Sequence, residues 1–286
     1  MTDRPDPAKG EGLGRPRRLA PRAPLPRKSP AAGQEPPAAP QRFRQPETQR
    51  ICGTAAVRAL FLRRPEQVLR LFFTPEQAGF AAPLTRYLAR RRAPFREVPA
   101  EELTRIAGTP HHGGIVAVAT PRYAEPLPDR LPSVLWSAPV LPVLDGVGNP
   151  HNLGAILRSA VFLGCRACLI SAEPRQADLS DAVFRTARGA AEHIALFRSH
   201  DLPAVLSRLS ARMTTVVALA HGGAPPERLP RGRPIALVVG HEEEGPREAV
   251  IAACRHRVTL PAKGPVESLN VAVAAALLMY ALSSPA

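Results

Sequence analysis

Leu144-Asp145-Gly146-Val147-Gly148-Asn149-Pro150-His151-Asn152-Leu153-Gly154-Ala155-Ile156-Leu157-Arg158-Ser159-Ala160 decides the fold class. An apolar strand over 140–144 runs into a Gly/Asn/Pro turn, and a helix is expected from near Asn152, a good N-cap residue. Leu153, Ile156, Leu157, Ala160 and Val161 form its apolar stripe. Arg158 lies off that stripe, in line with His151 and Gly154 at spacings of seven and four. Gly154 leaves space beside the guanidinium for a ligand or for another backbone. The bland reading is an arginine paired on the helix surface. Gly146 and Gly148 match the first two glycines of a dinucleotide fingerprint. The third position is His151, too large for close helix–strand packing, so a nicotinamide cofactor is excluded.

Outward from this turn, strands expected at 140–144, 167–171, 216–220, 235–240 and 257–260 alternate with helical patterns. That order implies a mostly parallel sheet covered on both faces, with ligands at the C-terminal strand ends. Two further loops sit there. Val239-Gly240-His241-Glu242-Glu243-Glu244-Gly245-Pro246 brings a glycine and three carboxylates, of which at most two can serve one site; the bland reading is a solvated acidic loop. Leu260-Pro261-Ala262-Lys263-Gly264-Pro265-Val266-Glu267-Ser268-Leu269-Asn270 precedes an Ala-rich apolar helix, where Ser268 or Asn270 could cap the helix or help wrap a cofactor.

The segment 121–138 is Pro-rich and reads as an interdomain linker. Before it, residues 49–120 form a smaller α/β unit. A short helix is expected through 51–62, strands at 68–73, 95–98 and 114–119, and helices at 84–92 and 101–106. Arg90-Arg91-Arg92 suits a helix C-terminus through the dipole, or RNA. His111-His112-Gly113-Gly114 could suggest a ligand pair, but its place just before a strand favours a turn. Residues 1–48 form a basic Pro-rich arm, expected to be disordered, with eleven of the 34 prolines in 1–46. Up to Arg50 there are eleven Arg/Lys against five Asp/Glu. Such an arm is either an RNA tether or a solvated tail.

For the whole chain, 38 Lys+Arg against 24 Asp+Glu gives +14, which points to a polyanionic partner. The longest apolar run, 271–282, is too short to span a bilayer, and no secretory apolar segment opens the chain, so no membrane is expected. Four cysteines do not make a disulfide scaffold, and a cytoplasmic protein is expected. Cys165-Arg166-Ala167-Cys168 lacks the second pair that a zinc site needs and reads as buried thiols, with no metal expected.

The three loops resemble the motifs of the SpoU (TrmH-like) branch of the SPOUT methyltransferases. The first motif looks like 149–160, the second matches Val239-Gly240-x-Glu242-x-x-Gly245, and the third matches Leu260-Pro261, Gly264 and Ser268-Leu269-Asn270-Val271. Residues 50–120 resemble, more loosely, an L30e-like RNA substrate-binding domain. The resemblance implies an α/β SPOUT domain over 139–286 with a deep trefoil knot, a homodimer, and S-adenosylmethionine as cofactor. It implies methylation of a ribose 2′-hydroxyl of rRNA or tRNA. Carried over, Gly240, Leu260 and Leu269 contact the cofactor. Arg158, Glu242, Ser268 and Asn270 form the catalytic set, and Asn152 belongs to the substrate side. Arg158 would serve the cofactor held mainly by the partner subunit. Because a guanidinium keeps its proton, its expected role is to orient the ribose and stabilise a developing alkoxide. His241, Ala187 and the extra Glu243 and Glu244 depart from the family pattern and bear on substrate. A non-catalytic RNA-binding or ribosome-assembly factor of the same fold is the alternative.

Overall fold

The computed structural model describes residues 47–283; the basic arm, apart from Glu47 and Thr48, lies outside them. The first unit orders as β1 (Gln49–Cys52), α1 (Thr54–Arg63), β2 (Val68–Phe73), α2 (Ala78–Arg90), β3 (Phe95–Glu97), α3 (Ala100–Ala107) and β4 (Ile115–Ala119). Its sheet runs β1-β4-β2-β3, with β4 antiparallel to both β1 and β2 and β3 parallel to β2. Two expectations shift. Residues 49–52 are a strand, and the helix begins only after Gly53, whose φ of 89° suits glycine. The helix expected at 84–92 starts at Ala78 and carries Pro83 in its second turn. There the ring removes one backbone donor. Arg91 ends that helix by donating to the carbonyls of Pro65 and Glu66 at 2.8 and 2.6 Å.

The second unit contains β5 (Glu125–Pro126), β6 (Val140–Asp145), α4 (Pro150–Phe162), β7 (Ala167–Ser171), α5 (Asp181–Ala187), β8 (Ala195–Ser199), α6 (Leu202–Leu209), β9 (Thr214–Ala218), β10 (Ile235–Gly240), α7 (Glu248–Ala252), β11 (His256–Val258) and α8 (Val271–Ser283). Seven strands run β11-β9-β10-β6-β7-β8-β5, and every pairing is parallel. Alternation along each strand divides the core. Val140, Leu144, Ile170, Leu237 and Val239 face one layer; Leu141, Val143, Leu169, Ala236 and Val238 face the other. Helices α4, α5 and α8 cover the first layer, α6 and α7 the second. This is the doubly covered sheet expected from the alternation.

The segment 121–138 is more than a tether. Its β5 extends the sheet beside β8, and a 3-10 turn at Ser133–Trp136 buries Leu135 in the second core layer. Strand β8 was not expected from the sequence. Between α5 and α6 it offers only Leu196 and Phe197 as fully apolar bulk, too short a pattern to show a period of two. The strand expected at 216–220 lies two residues earlier, with Thr214 bonded to the Pro234 carbonyl at 2.8 Å. The last strand stops at Val258, because the Thr259 hydroxyl donates to Leu219 O and accepts from Gly223 N.

The two units share one core cluster, from Ile51 and Leu60 through to Phe184 and Ala187. The edge of β1 is covered by α5: Asp181 accepts from Arg50 N at 3.1 Å and Nε at 2.7 Å. Nearby, Glu192 is buried against Arg64, with Nε and Nη2 contacts at 2.9 Å. Arg122 approaches the same carboxylate at 3.8 Å. Burial, the largest influence, draws the Arg122 guanidinium below its ordinary value, and Glu192 opposes that.

Candidate functional site

The three expected loops converge at the C-terminal end of the parallel sheet. A cavity of about 990 Å³ opens there, lined by Gly240, Glu242, Leu260, Ser268 and Leu269 together with Leu219, Ala274 and Leu278. Arg158, Asn152 and Asn270 do not line it.

The first loop is shaped by its own strand end. Gly146 has φ 85°. Its N–H donates to Ser171 Oγ at 3.1 Å and Gln176 Oε1 at 3.0 Å, and Gln176 also takes Val147 N–H at 3.1 Å. The helix begins earlier than expected: Asn149 caps α4 by accepting from His151 N–H at 2.8 Å, and Pro150 takes the first helical position. That leaves Asn152 at the third position of the helix, in its first turn, where its side chain reaches another loop.

Glu242 holds that junction. Its carboxylate accepts from Gly148 N at 3.2 Å, Asn149 N at 3.1 Å and Asn152 Nδ2 at 2.7 Å. Partial burial is the largest single influence and raises its pKa. The hydrogen bonds from Asn152, its own backbone, Gly148 and Asn149 together outweigh it and hold the carboxyl below its ordinary value. Asn152 Oδ1 in turn accepts from Asn270 Nδ2 at 3.0 Å. Asn270 Oδ1 caps α8 by accepting from Ala272 N at 2.9 Å. One chain of hydrogen bonds thus ties all three loops through Glu242, Asn152 and Asn270.

Gly240 is explained by the chain itself. A Cβ there would lie 2.0 Å from Pro246 N and 2.2 Å from Gly245 C, so the returning loop fills the space beside it. Gly154 is settled in favour of another backbone: a Cβ would meet Thr186 Cβ at 2.7 Å and Val183 O at 2.9 Å, the surface of α5. His241 Nδ1 accepts from Glu243 and Glu244 N–H at 3.2 and 3.4 Å, which closes the acidic turn.

Arg158 is exposed on α4, on the same face as Phe162, which is 88% exposed. On the neighbouring α8, Val273, Leu277 and Tyr280 are 48, 47 and 64% exposed at spacings of four and three. Leu269 (51%) and Val266 (70%) are exposed on the third loop.

A cluster that the sequence did not reveal lies below the acidic turn. Asp145, buried at the end of β6, accepts from Arg247 N and Nε at 2.9 Å, and Arg247 also pairs with Glu173. The hydrogen bond to Asp145 is the main cause of the raised Arg247 pKa. Partners 102 residues apart leave no local signal beyond a carboxylate at a strand end. Cys165 and Cys168 are both buried; burial pushes the Cys165 thiol up to about 11 and also raises Cys168. Among the described residues no group of three or more His, Cys, Asp or Glu is placed to hold a metal, and no helix is long and apolar enough to cross a membrane.

Comparison with known proteins sets this geometry in a family. Residues 139–280 match the SpoU rRNA Methylase family, and residues 50–124 match RNA 2′-O ribose methyltransferase substrate binding. A 23S rRNA (guanosine-2′-O-)-methyltransferase RlmB of Ralstonia nicotianae is 37% identical over 195 residues, 67% of this chain and 78% of its own. The RlmB of Bordetella pertussis is 32% identical over 237 residues, 82% of this chain and 96% of its own. The crystal structure of an AdoMet-bound rRNA methyltransferase from Sinorhizobium meliloti, 20% identical, superposes with a TM-score of 0.67 over 82% of this chain and 87% of that one, a likeness of fold. With relatives of this identity covered over most of their length, and with both units matched in order, the chain belongs to the SpoU family of RNA methyltransferases.

Proposed function

We propose that the protein transfers a methyl group from S-adenosylmethionine to a ribose 2′-hydroxyl of RNA. A cavity between the second and third loops, with the first loop clamped beside it through Glu242 and Asn152, carries this reading. The names of the RlmB relatives favour ribosomal over transfer RNA. The residues fit the cofactor. The cavity lies at the upper end of the ~300–1,000 Å³ usual for small-molecule sites. Its walls combine loop backbone with Leu219, Leu260, Leu269 and Leu278, and the carboxylates of Glu242 and Glu243 suit a cation, Glu244 being paired with Arg175. When bound, S-adenosylmethionine supplies a methyl group on a sulfonium, electrophilic without a metal. Gly240, Leu260 and Leu269 hold it. Glu242, already an acceptor on both oxygens, positions the first loop through Asn152 rather than taking a proton. Ser268 and Asn270 set the third loop against the substrate hydroxyl. Arg158 orients the ribose and stabilises its developing negative charge.

Because Arg158 stands outside its own cavity and shares an exposed face with Phe162, the active unit is a homodimer in which Arg158 serves the partner's site. The exposed apolar side chains of α4 and α8 support the same assembly. The domain division follows: an L30e-like substrate-binding domain over 49–120, a docked connector over 121–138 and a SPOUT domain over 139–286. A deep trefoil knot is part of the proposal. It is supported by the return of the chain from edge strand β11 to the sheet centre, where α8 packs on β6, β10 and α4. Mapping ribose methylation in total RNA with and without the gene tests the function; one lost methylation site is expected, and an unchanged map refutes it. Arg158→Ala is expected to abolish methyl transfer while S-adenosylmethionine affinity, measured by calorimetry, stays nearly unchanged.

A further inference from the structure

At the other end of the sheet, where the strands begin, basic side chains gather. Arg130 and Trp136 precede β6, Arg208 and Arg212 precede β9, Arg233 precedes β10, and Arg255 precedes β11. These strands are parallel neighbours in the order β11-β9-β10-β6, so the topology brings their approaches to one edge. A cleft of about 590 Å³ lies there, lined by Arg130, Ser133, Trp136, Arg208, Ala211 and Arg212 among others. The Arg212 guanidinium sits 5.0 Å from the centre of the Trp136 ring. Arg233 and Arg255 reach the same turn, through Ala211 O at 2.6 Å and Ser210 Oγ at 3.4 Å. Among the described residues, none of these five arginines forms an ion pair. Even Asp129 offers Arg208 its main-chain carbonyl.

Five uncompensated guanidinium groups on one edge repel each other, and a polyanion relieves that repulsion. Flat guanidinium and indole surfaces add what a simple anion site lacks: a platform for a nucleobase. We propose that this cleft is a second RNA-binding site, which takes a single-stranded segment with phosphates on Arg130, Arg208 and Arg212 and a base stacked against the Arg212–Trp136 pair. The proposal rests on the RNA methyltransferase reading and extends it to a contact remote from the reacting ribose.

Trp136 is the single tryptophan of the chain, so its emission reports on this cleft directly. The full chain is titrated with a twelve-nucleotide oligouridylate (length of order one OB-type site) and, separately, with inorganic polyphosphate. Quenching by the oligonucleotide, reversed by salt and stronger than that by polyphosphate, is expected. The Arg208→Ala/Arg212→Ala double variant, followed by anisotropy of labelled oligonucleotide, should bind about tenfold more weakly. Its log–log salt slope should be shallower by about 1.4, two phosphate contacts at ~0.7 each. Oligonucleotide binding without a change in Trp136 emission, equal quenching by polyphosphate, or an unaltered double variant each overturns the proposal. Methyl transfer measured on the same preparations separates the two readings: transfer without quenching removes the second site alone, and quenching without transfer removes the catalytic reading alone.

Discussion

Glu242 is the residue on which the loop geometry turns. Glutamine in its place keeps one acceptor oxygen and sets an amide N–H₂ against donors that the carboxylate now satisfies. Glu242→Gln should lower methyl transfer about a hundredfold, since a displacement near 1 Å can cost that much, while the protein stays folded by circular dichroism. The acid response follows from the same contacts. A carboxyl whose pKa is lowered by folding contributes stability above its unfolded pKa and loses it as the pH falls through the folded value. The wild type should therefore lose thermal stability on acidification through and below the ordinary carboxylate range more steeply than Glu242→Gln. Equal slopes would show that the hydrogen bonds do not depend on charge. Little of this clamp was legible in the sequence. The motif residues could be picked out, but the partners of Glu242 lie 90 to 94 positions away, and only the fold brings them together. Asn152 looked like a cap because caps and clamps use the same side chain; Asn149 and Pro150 take the capping role.

Among the elements, strands were the most legible. β2, β7 and β10 fall where their β-branched and apolar runs place them. Strand β1 and strand β8 were not, because four or five residues carry too little pattern, and β1 becomes a strand only by pairing with β4, 64 to 70 positions on. Helix α8 is apolar on every side, so its sequence could not say which face meets the sheet. The structure buries Ala275, Leu278, Met279 and Leu282, and leaves Val273, Leu277 and Tyr280 outside. If that outer face joins two subunits, Leu277→Arg should convert a dimer into a monomer by light scattering and lose methyl transfer, with helix content unchanged. A variant that remains dimeric would move the interface elsewhere.

At the scale of the molecule, the small unit is docked on α5 and the turn after it through Arg50–Asp181 and the buried Arg64–Glu192 pair. Removing one member of a buried pair leaves the other charged and unpaired, at a cost of about 3–5 kcal/mol. Glu192→Ala should show a loss of that size in urea unfolding, whereas Asp181→Ala, at the more exposed pair, should cost about 1 kcal/mol or less. A small loss for Glu192→Ala would mean that the two units are not held together by this contact. The Pro-rich stretch 121–138 suggested a division and the net charge pointed to polyanions, but neither pointed to this docking: Glu192 stands in an unremarkable Ala-Ala-Glu-His run.

Asn270 starts the last helix and, with its other side-chain atom, grips Asn152. The first turn of α8 therefore cannot unwind without slackening the first and second loops, which Asn152 and Glu242 join. Helix α8 acts as a latch, and damage to it should be felt in the cavity beside the loops before the sheet beneath gives way.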